Sequence, residues 1–219
     1  MITVAVSPPR PLLRGWSHVL GFFAVAALGG VLIGLAPGAG VRVTMIIYTA
    51  GVATMLGVSA LYHRLSWSPE RLAFMRRLDH STIFLAISGS YTPIAVIALS
   101  GWQRSTVLAL AWGGTVLGIT LQWLPIHVPR WLSTAVYAVV GWVAVLALPQ
   151  LWESLGPLGF SLVFGGGLAY TLGAVVYALK WPDPWPTVFG YHEVFHMFTL
   201  IGAGLHMAAI AFTVMRQGS

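Results

Sequence analysis

Gly190-Tyr191-His192-Glu193-Val194-Phe195-His196 opens the last apolar run of the chain, which ends near Val214. Two imidazoles four residues apart stand one helical turn from each other on one face, where both can reach a single ion. The run behind them is apolar enough to cross a bilayer, so the pair sits at a membrane boundary. Ionisable side chains are rare there and mark functional sites by default. The bland alternative is that both rings simply point to headgroups or water. The same string also reads H-E-x-x-H, the metallopeptidase pattern in which the glutamate is general base. That reading needs a further ligand downstream, and the only histidine there is His206. It lies ten residues beyond His196, roughly 15 Å along a helix, too far to share the ion. Glu193 can equally face water or Lys180.

The rest of a site must come from other parts of the chain. Zinc sites with an open position typically use three protein ligands and a water. His63 is the natural third ligand, since it closes another apolar segment at the same depth. Ser59 lies one turn before it on the same face, placed to orient a ligand or hydrogen-bond a water on the metal. Asp79 opens the third apolar segment, where a helix dipole favours a carboxylate. It can pair with Arg76 or Arg77, or accept a hydrogen bond from that water. His18, His80 and His127 look unremarkable: one near a helix start, one turned about 100° from Asp79, one in a loop.

Composition says what kind of protein carries these residues. Hydrophobic types make up 58% of the 219 residues and charged types only 7%, against about 25% in soluble domains. The chain is therefore a polytopic, all-α membrane protein. The absence of cysteine removes disulfides, thiolate metal sites and cysteine nucleophiles, leaving histidine, carboxylate and water for any metal. A net charge of +6 comes without a basic run, so nucleic-acid binding is not indicated.

Seven apolar segments of roughly 18–25 residues, enough to cross about 30 Å of hydrocarbon, can be marked. They are Trp16–Pro37, Val43–His63, Leu78–Leu99, Val107–Leu124, Trp131–Leu148, Leu158–Leu179 and Val188–Val214. The expected architecture is one seven-transmembrane helix bundle over residues 1–219, with a short cytoplasmic arm over residues 1–14. Basic residues in short loops set the orientation. With the amino terminus inside, Arg10, Arg14, Arg64, Arg71, Arg76, Arg77, Arg130 and Lys180 are cytoplasmic, and only Arg42, Arg104 and Arg216 are outside. A plasma (inner) membrane, crossed several times with the amino terminus cytoplasmic and the carboxyl terminus outside, is the expected location. In that topology His63, Asp79, His192 and His196 all fall at the cytoplasmic end.

With Ser59-Ala60-Leu61-Tyr62-His63-Arg64, Leu78-Asp79-His80-Ser81, Ser88-Gly89-Ser90-Tyr91-Thr92-Pro93 and Gly190 to His196 in view, the chain resembles the hemolysin III-like bacterial members of the progestin and adipoQ receptor family. These belong to a superfamily that includes alkaline ceramidases. The resemblance implies seven helices and an intramembrane zinc near the cytoplasmic face. It implies His63, His192 and His196 as zinc ligands, Asp79 holding the water on the metal, and Ser59 nearby. It further implies hydrolysis of lipid amides or esters, with membrane lipids as partners and a link to membrane homeostasis. A zinc-containing sensor, or a hemolysin-like pore without turnover, is the rival expectation. A retinal-type protein would need a lysine within the last helix, whereas the sole lysine is Lys180. Lipid identity and oligomeric state are left open.

Overall fold

A computed structural model of the chain describes residues 10–124 and 129–218; the first nine residues of the arm and His127 lie outside them. Helices follow one another through short connections: α1 (Trp16–Leu35), α2 (Gly38–Arg64), α3 (Pro69–Ala98), α4 (Gly101–Trp123), α5 (Arg130–Gly141), α6 (Leu148–Leu179) and α7 (Tyr191–Gly218). A short 3-10 turn, Val143–Ala147, joins α5 to α6. Among the described residues there is no strand, only an isolated bridge between Trp185 and Phe189. The fold is all-helical, as its composition demands.

Six stretches of the described residues are long and apolar enough to cross a membrane: α1, α2, α3, α4, Thr134–Leu179 and Tyr191–Arg216. The expected fifth and sixth segments thus run together, because helical backbone continues from Leu148 up to Gly156 instead of breaking into a polar loop. Gly156, at φ 66 and ψ 179, takes a conformation open essentially to glycine alone, and Pro157 follows it. The chain reverses there. On the near side, Tyr137 Oη donates to His80 O at 3.2 Å, Tyr91 Oη to Gly141 O at 2.6 Å and Gln150 Nε2 to Ser100 Oγ at 2.7 Å. Residues 137–150 therefore run alongside α3 in the same direction. On the far side, His206 Nε2 donates to Val163 O at 3.0 Å, and the Tyr177 and His192 rings lie 5.7 Å apart. That half of α6 runs antiparallel to α7. Trp142 Nε1, donating to Thr171 Oγ1 at 2.9 Å, ties the two arms together.

α3 begins about two turns earlier than the apolar segment does. Ser68 is the N-cap, its hydroxyl accepting from Arg71 N at 3.5 Å, with Pro69 at the first helical position and Glu70 in the first turn. These start signals precede a charged stretch that a hydropathy criterion passes over. Asp79 consequently lies well inside the helix, and the dipole argument made for it does not apply.

The outward face of α1 presents Leu20, Phe23, Leu28 and Val31, all exposed, as a lipid-facing helix should. Inside, Met45, Tyr48, Val52 and Leu56 of α2 meet Ala203, Met207 and Ile210 of α7 in one core, and Ala95, Val107, Ala111 and Leu151 form a second. Glycines set the closest helix approach. A Cβ on Gly51 of α2 would stand 2.7 Å from Leu85 O, and one on Gly89 of α3 would stand 3.2 Å from Ile47 O. Both neighbours are backbone, so neither can yield. This crossing sets where α2 lies against α3, and hence Ser59 against Asp79. Gly51→Ala should destabilise the fold by about 1–3 kcal/mol, the usual cost of overpacking, read as a lower thermal unfolding midpoint in detergent; an unchanged midpoint would refute the close crossing.

Candidate metal centre

His63 occupies the last turn of α2, and His192 and His196 the first two turns of α7. The start of α7 is firmly set. Asp183 Oδ1 accepts from Tyr191 N at 2.7 Å, and Glu193 Oε2 reaches back to Gly190 N at 2.8 Å. The second contact is the glutamate half of a capping box. With the helix so placed, the two α7 imidazoles face the end of α2. Ring centroids lie 4.7 Å apart for His63 and His192, 5.2 Å for His63 and His196, and 4.5 Å for His192 and His196.

The donor set fits a single small cation. One nitrogen from each ring lies within 4.8 Å of the others, and His192 Nε2 is 3.1 Å from His63 Nε2. Zinc–nitrogen bonds of about 2.0–2.1 Å at tetrahedral angles separate ligand nitrogens by about 3.3 Å. His63 and His196 are buried, His192 half-buried, and His196 Nδ1 has no hydrogen-bond partner. Buried imidazole nitrogens without partners are unusual unless something beyond the protein supplies one.

Ser59, buried one turn before His63, lies beside the carboxylate of Asp79. Asp79 also sits 3.7 Å from His80 Nδ1. His80 itself uses that nitrogen on Arg76 O of its own helix, at 2.8 Å, and is not among the three clustered histidines. Ser59, Asp79, His192 and His196 share the polar end of an internal cavity of about 210 Å³. Beyond them its wall is mostly apolar, with Ile83, Ile87, Ile94, Leu151 and Phe160. His206 lines the same cavity farther along, with Nε2 bonded to Val163 O and Tyr170 at 5.5 Å.

Two residues differ from their sequence reading. Glu193 faces neither water nor Lys180: it is 2% exposed, and Arg14 Nε pairs with its second oxygen. Buried and engaged on both oxygens, it ties the entry of α1 to the start of α7. His18, read as unremarkable, is 2% exposed and stacks on His196, with centroids 3.7 Å apart and planes 12° from parallel. It also borders the cavity. A usable signal was present, because the topology that groups His63, His192 and His196 places the start of α1 at the same depth.

Known proteins resemble this chain over most of its length. Residues 6–207 match the model of a family described as haemolysin-III related. Hemolysin-3 of Bacillus cereus is 30% identical over 177 residues, covering 81% of this chain and 78% of that protein. The Hemolysin-3 homolog of Bacillus subtilis (strain 168) is 31% identical over 173 residues, covering 79% and 76%. Heptahelical transmembrane protein ADIPOR2 of Oryza sativa subsp. japonica is 33% identical over 181 residues, covering 75% and 79%. With a family match spanning nearly its whole length, this multi-pass membrane protein belongs to the haemolysin-III related family.

Proposed function

We propose that the chain is a zinc-dependent intramembrane hydrolase of lipid amides or esters, working at the cytoplasmic end of a seven-span bundle and serving membrane homeostasis. One observation carries this reading: His192 and His196, clustered with His63, share the polar end of an otherwise apolar cavity with Asp79 and Ser59. An acyl chain suits the apolar part, and a carbonyl then lies beside the histidines.

The reversal at Gly156 supports the seven-span reading. Forty-six residues of straight helix would extend about 69 Å, more than twice a hydrocarbon core of about 30 Å. A double crossing by Thr134–Leu179 accounts for that length. With the amino terminus inside, as the basic loops favour, Glu153 then faces the outside and Lys180 the cytoplasm. The chain has no cysteine, so Glu153→Cys and Lys180→Cys each give one label site at an exposed residue. An impermeant maleimide should label the first from outside intact cells and the second only after lysis; labelling of both from one side would refute the double crossing.

His63, His192 and His196 would hold the ion through ring nitrogens. Bound there, zinc lowers the pKa of water toward about 7 and polarises a carbonyl oxygen. As water adds to the substrate carbonyl carbon, Asp79 takes its proton on a carboxylate oxygen. The Ser59 hydroxyl, beside that carboxylate, keeps it aimed into the cavity. Once Asp79 is protonated, the serine hydrogen is free to steady the developing oxyanion. The proton then passes from Asp79 to the leaving nitrogen or oxygen as the carbon–nitrogen or carbon–oxygen bond breaks.

The names of the Bacillus relatives favour a second reading, a pore; it predicts conductance in zinc-free liposomes. Two variants test the hydrolase. His192→Ala should lower zinc from about one equivalent to near zero by elemental analysis, and full retention would contradict the ligand set. Asp79→Asn should keep zinc yet lose about 10²–10⁴-fold in turnover, the usual contribution of a general acid–base group. The assay is mass spectrometry of purified protein with ceramides, acyl amides and phospholipids. Unchanged turnover would remove Asp79 from the chemistry, and zinc without any turnover in the wild type would favour a sensor.

A further inference from the structure

The entry to α1 offers no ligand, yet it touches both helices that do. We propose that the start of α1, from Arg14 to His18, clamps the three imidazoles into one metal-binding set, with Arg14 and His18 as positioning residues. This inference rests on the metal reading of His63, His192 and His196, and its contacts are independent of any hydrolytic step.

Three contacts carry it, one beside each histidine. Gly15 takes φ 81, and a Cβ there would stand 2.8 Å from His63 Cβ. The backbone therefore passes directly against the α2 ligand, in a conformation that glycine tolerates. Arg14 pairs with Glu193, the neighbour of His192, while the other Glu193 oxygen holds Gly190 N. A carboxylate fixed from two directions fixes the rotation of the first turn of α7. His18 lies face to face with His196.

Hydrogen bonding does not explain His18, since neither ring nitrogen has a partner. Stacking does: a flat ring held against His196 restricts the plane in which that ligand can lie. The segment ahead of Arg14 is itself anchored on both ligand-bearing elements. Leu12 N and Leu13 N donate to Thr187 O and Val188 O, each at 3.0 Å, just before α7. Arg10 Nη1 donates to Leu65 O at 3.1 Å, and Arg64 Nη1 to Arg14 O at 3.4 Å, at the end of α2. The clamp thus joins α2 to α7 independently of any ion.

The test is zinc affinity of purified full-length protein in detergent, by competition with a chelator of known strength, together with the visible spectrum of the cobalt-substituted protein. His18→Ala should weaken zinc by about 10–100-fold, the range for residues that orient metal ligands, and should shift the cobalt bands. His18→Phe keeps a flat ring and should stay within a few-fold of wild type. Arg14→Gln and Glu193→Gln should each weaken zinc, and the double variant should be no worse than the worse single, because the two share one interaction. Gly29→Ala, which disturbs α1 against Thr49 away from the site, should leave affinity and cobalt spectrum unchanged. Wild-type affinity in His18→Ala, equal loss in His18→Phe, or equal loss in Gly29→Ala would each overturn the clamp. Should Arg14→Gln fail to fold, the two His18 variants decide alone. A wild-type protein that takes up no zinc would overturn the metal reading and the clamp with it; unchanged affinities in a zinc-binding protein would overturn the clamp only.

Discussion

Burying imidazoles together at the end of a helical bundle makes a demand that the surrounding structure has to meet. Each unmet buried polar group costs about 1–3 kcal/mol, and His18 and His196 carry three such nitrogens between them. Three of the rings converge on one small volume, which suits a shared cation better than mutual hydrogen bonding. Much of the fold can be understood from that requirement. α2 and α7 must end at one depth, α3 must pass close enough for Asp79 to meet Ser59, and the entry to α7 must not slide.

How this is achieved reflects the physics of helices in lipid, where apolar surface gives no drive for association. Close packing and hydrogen bonds take over. Gly51 and Gly89 bring α2 and α3 into backbone contact. Between α3 and α4, Ser88 hydrogen-bonds Ala111 O and the hydroxyl of Thr115, which in turn donates to Phe84 O. Gly202 gives way to the Tyr170 ring between α7 and α6. The site-bearing helices are thus joined by fitted contacts, while α1 turns much of its surface outward and contributes through its first turns.

Much of this was legible in the residues. Apolar runs located the helices, and counting arginines and lysines in short loops put His63, Asp79, His192 and His196 at one end before any geometry was known. Spacing alone put Ser59 on the face of His63. What escaped had physical reasons. The start of α3 lies in charged residues, so its capping signal at Ser68 and Pro69 was outvoted by hydropathy. The bend at Gly156 lies in apolar sequence, and a dihedral angle leaves no mark on composition. The pairing of Arg14 with Glu193 joins residues 179 apart, and nothing local announces it. His18 was missed for a weaker reason: it was judged by its immediate neighbours instead of by its depth.

For the hydrolase proposed above, the early start of α3 would bear on where a lipid is cut. Its first turns carry Arg71, Arg76 and Arg77, and an arginine beside anionic lipid phosphates contributes roughly 1 kcal/mol. A rigid rod moored by its basic end cannot easily ride up or down in the bilayer. Asp79, two residues past the last of those arginines, is then held at a constant level just beneath the phosphates. A bond at the junction of head and tail would come within reach at that level, and one midway down an acyl chain would not.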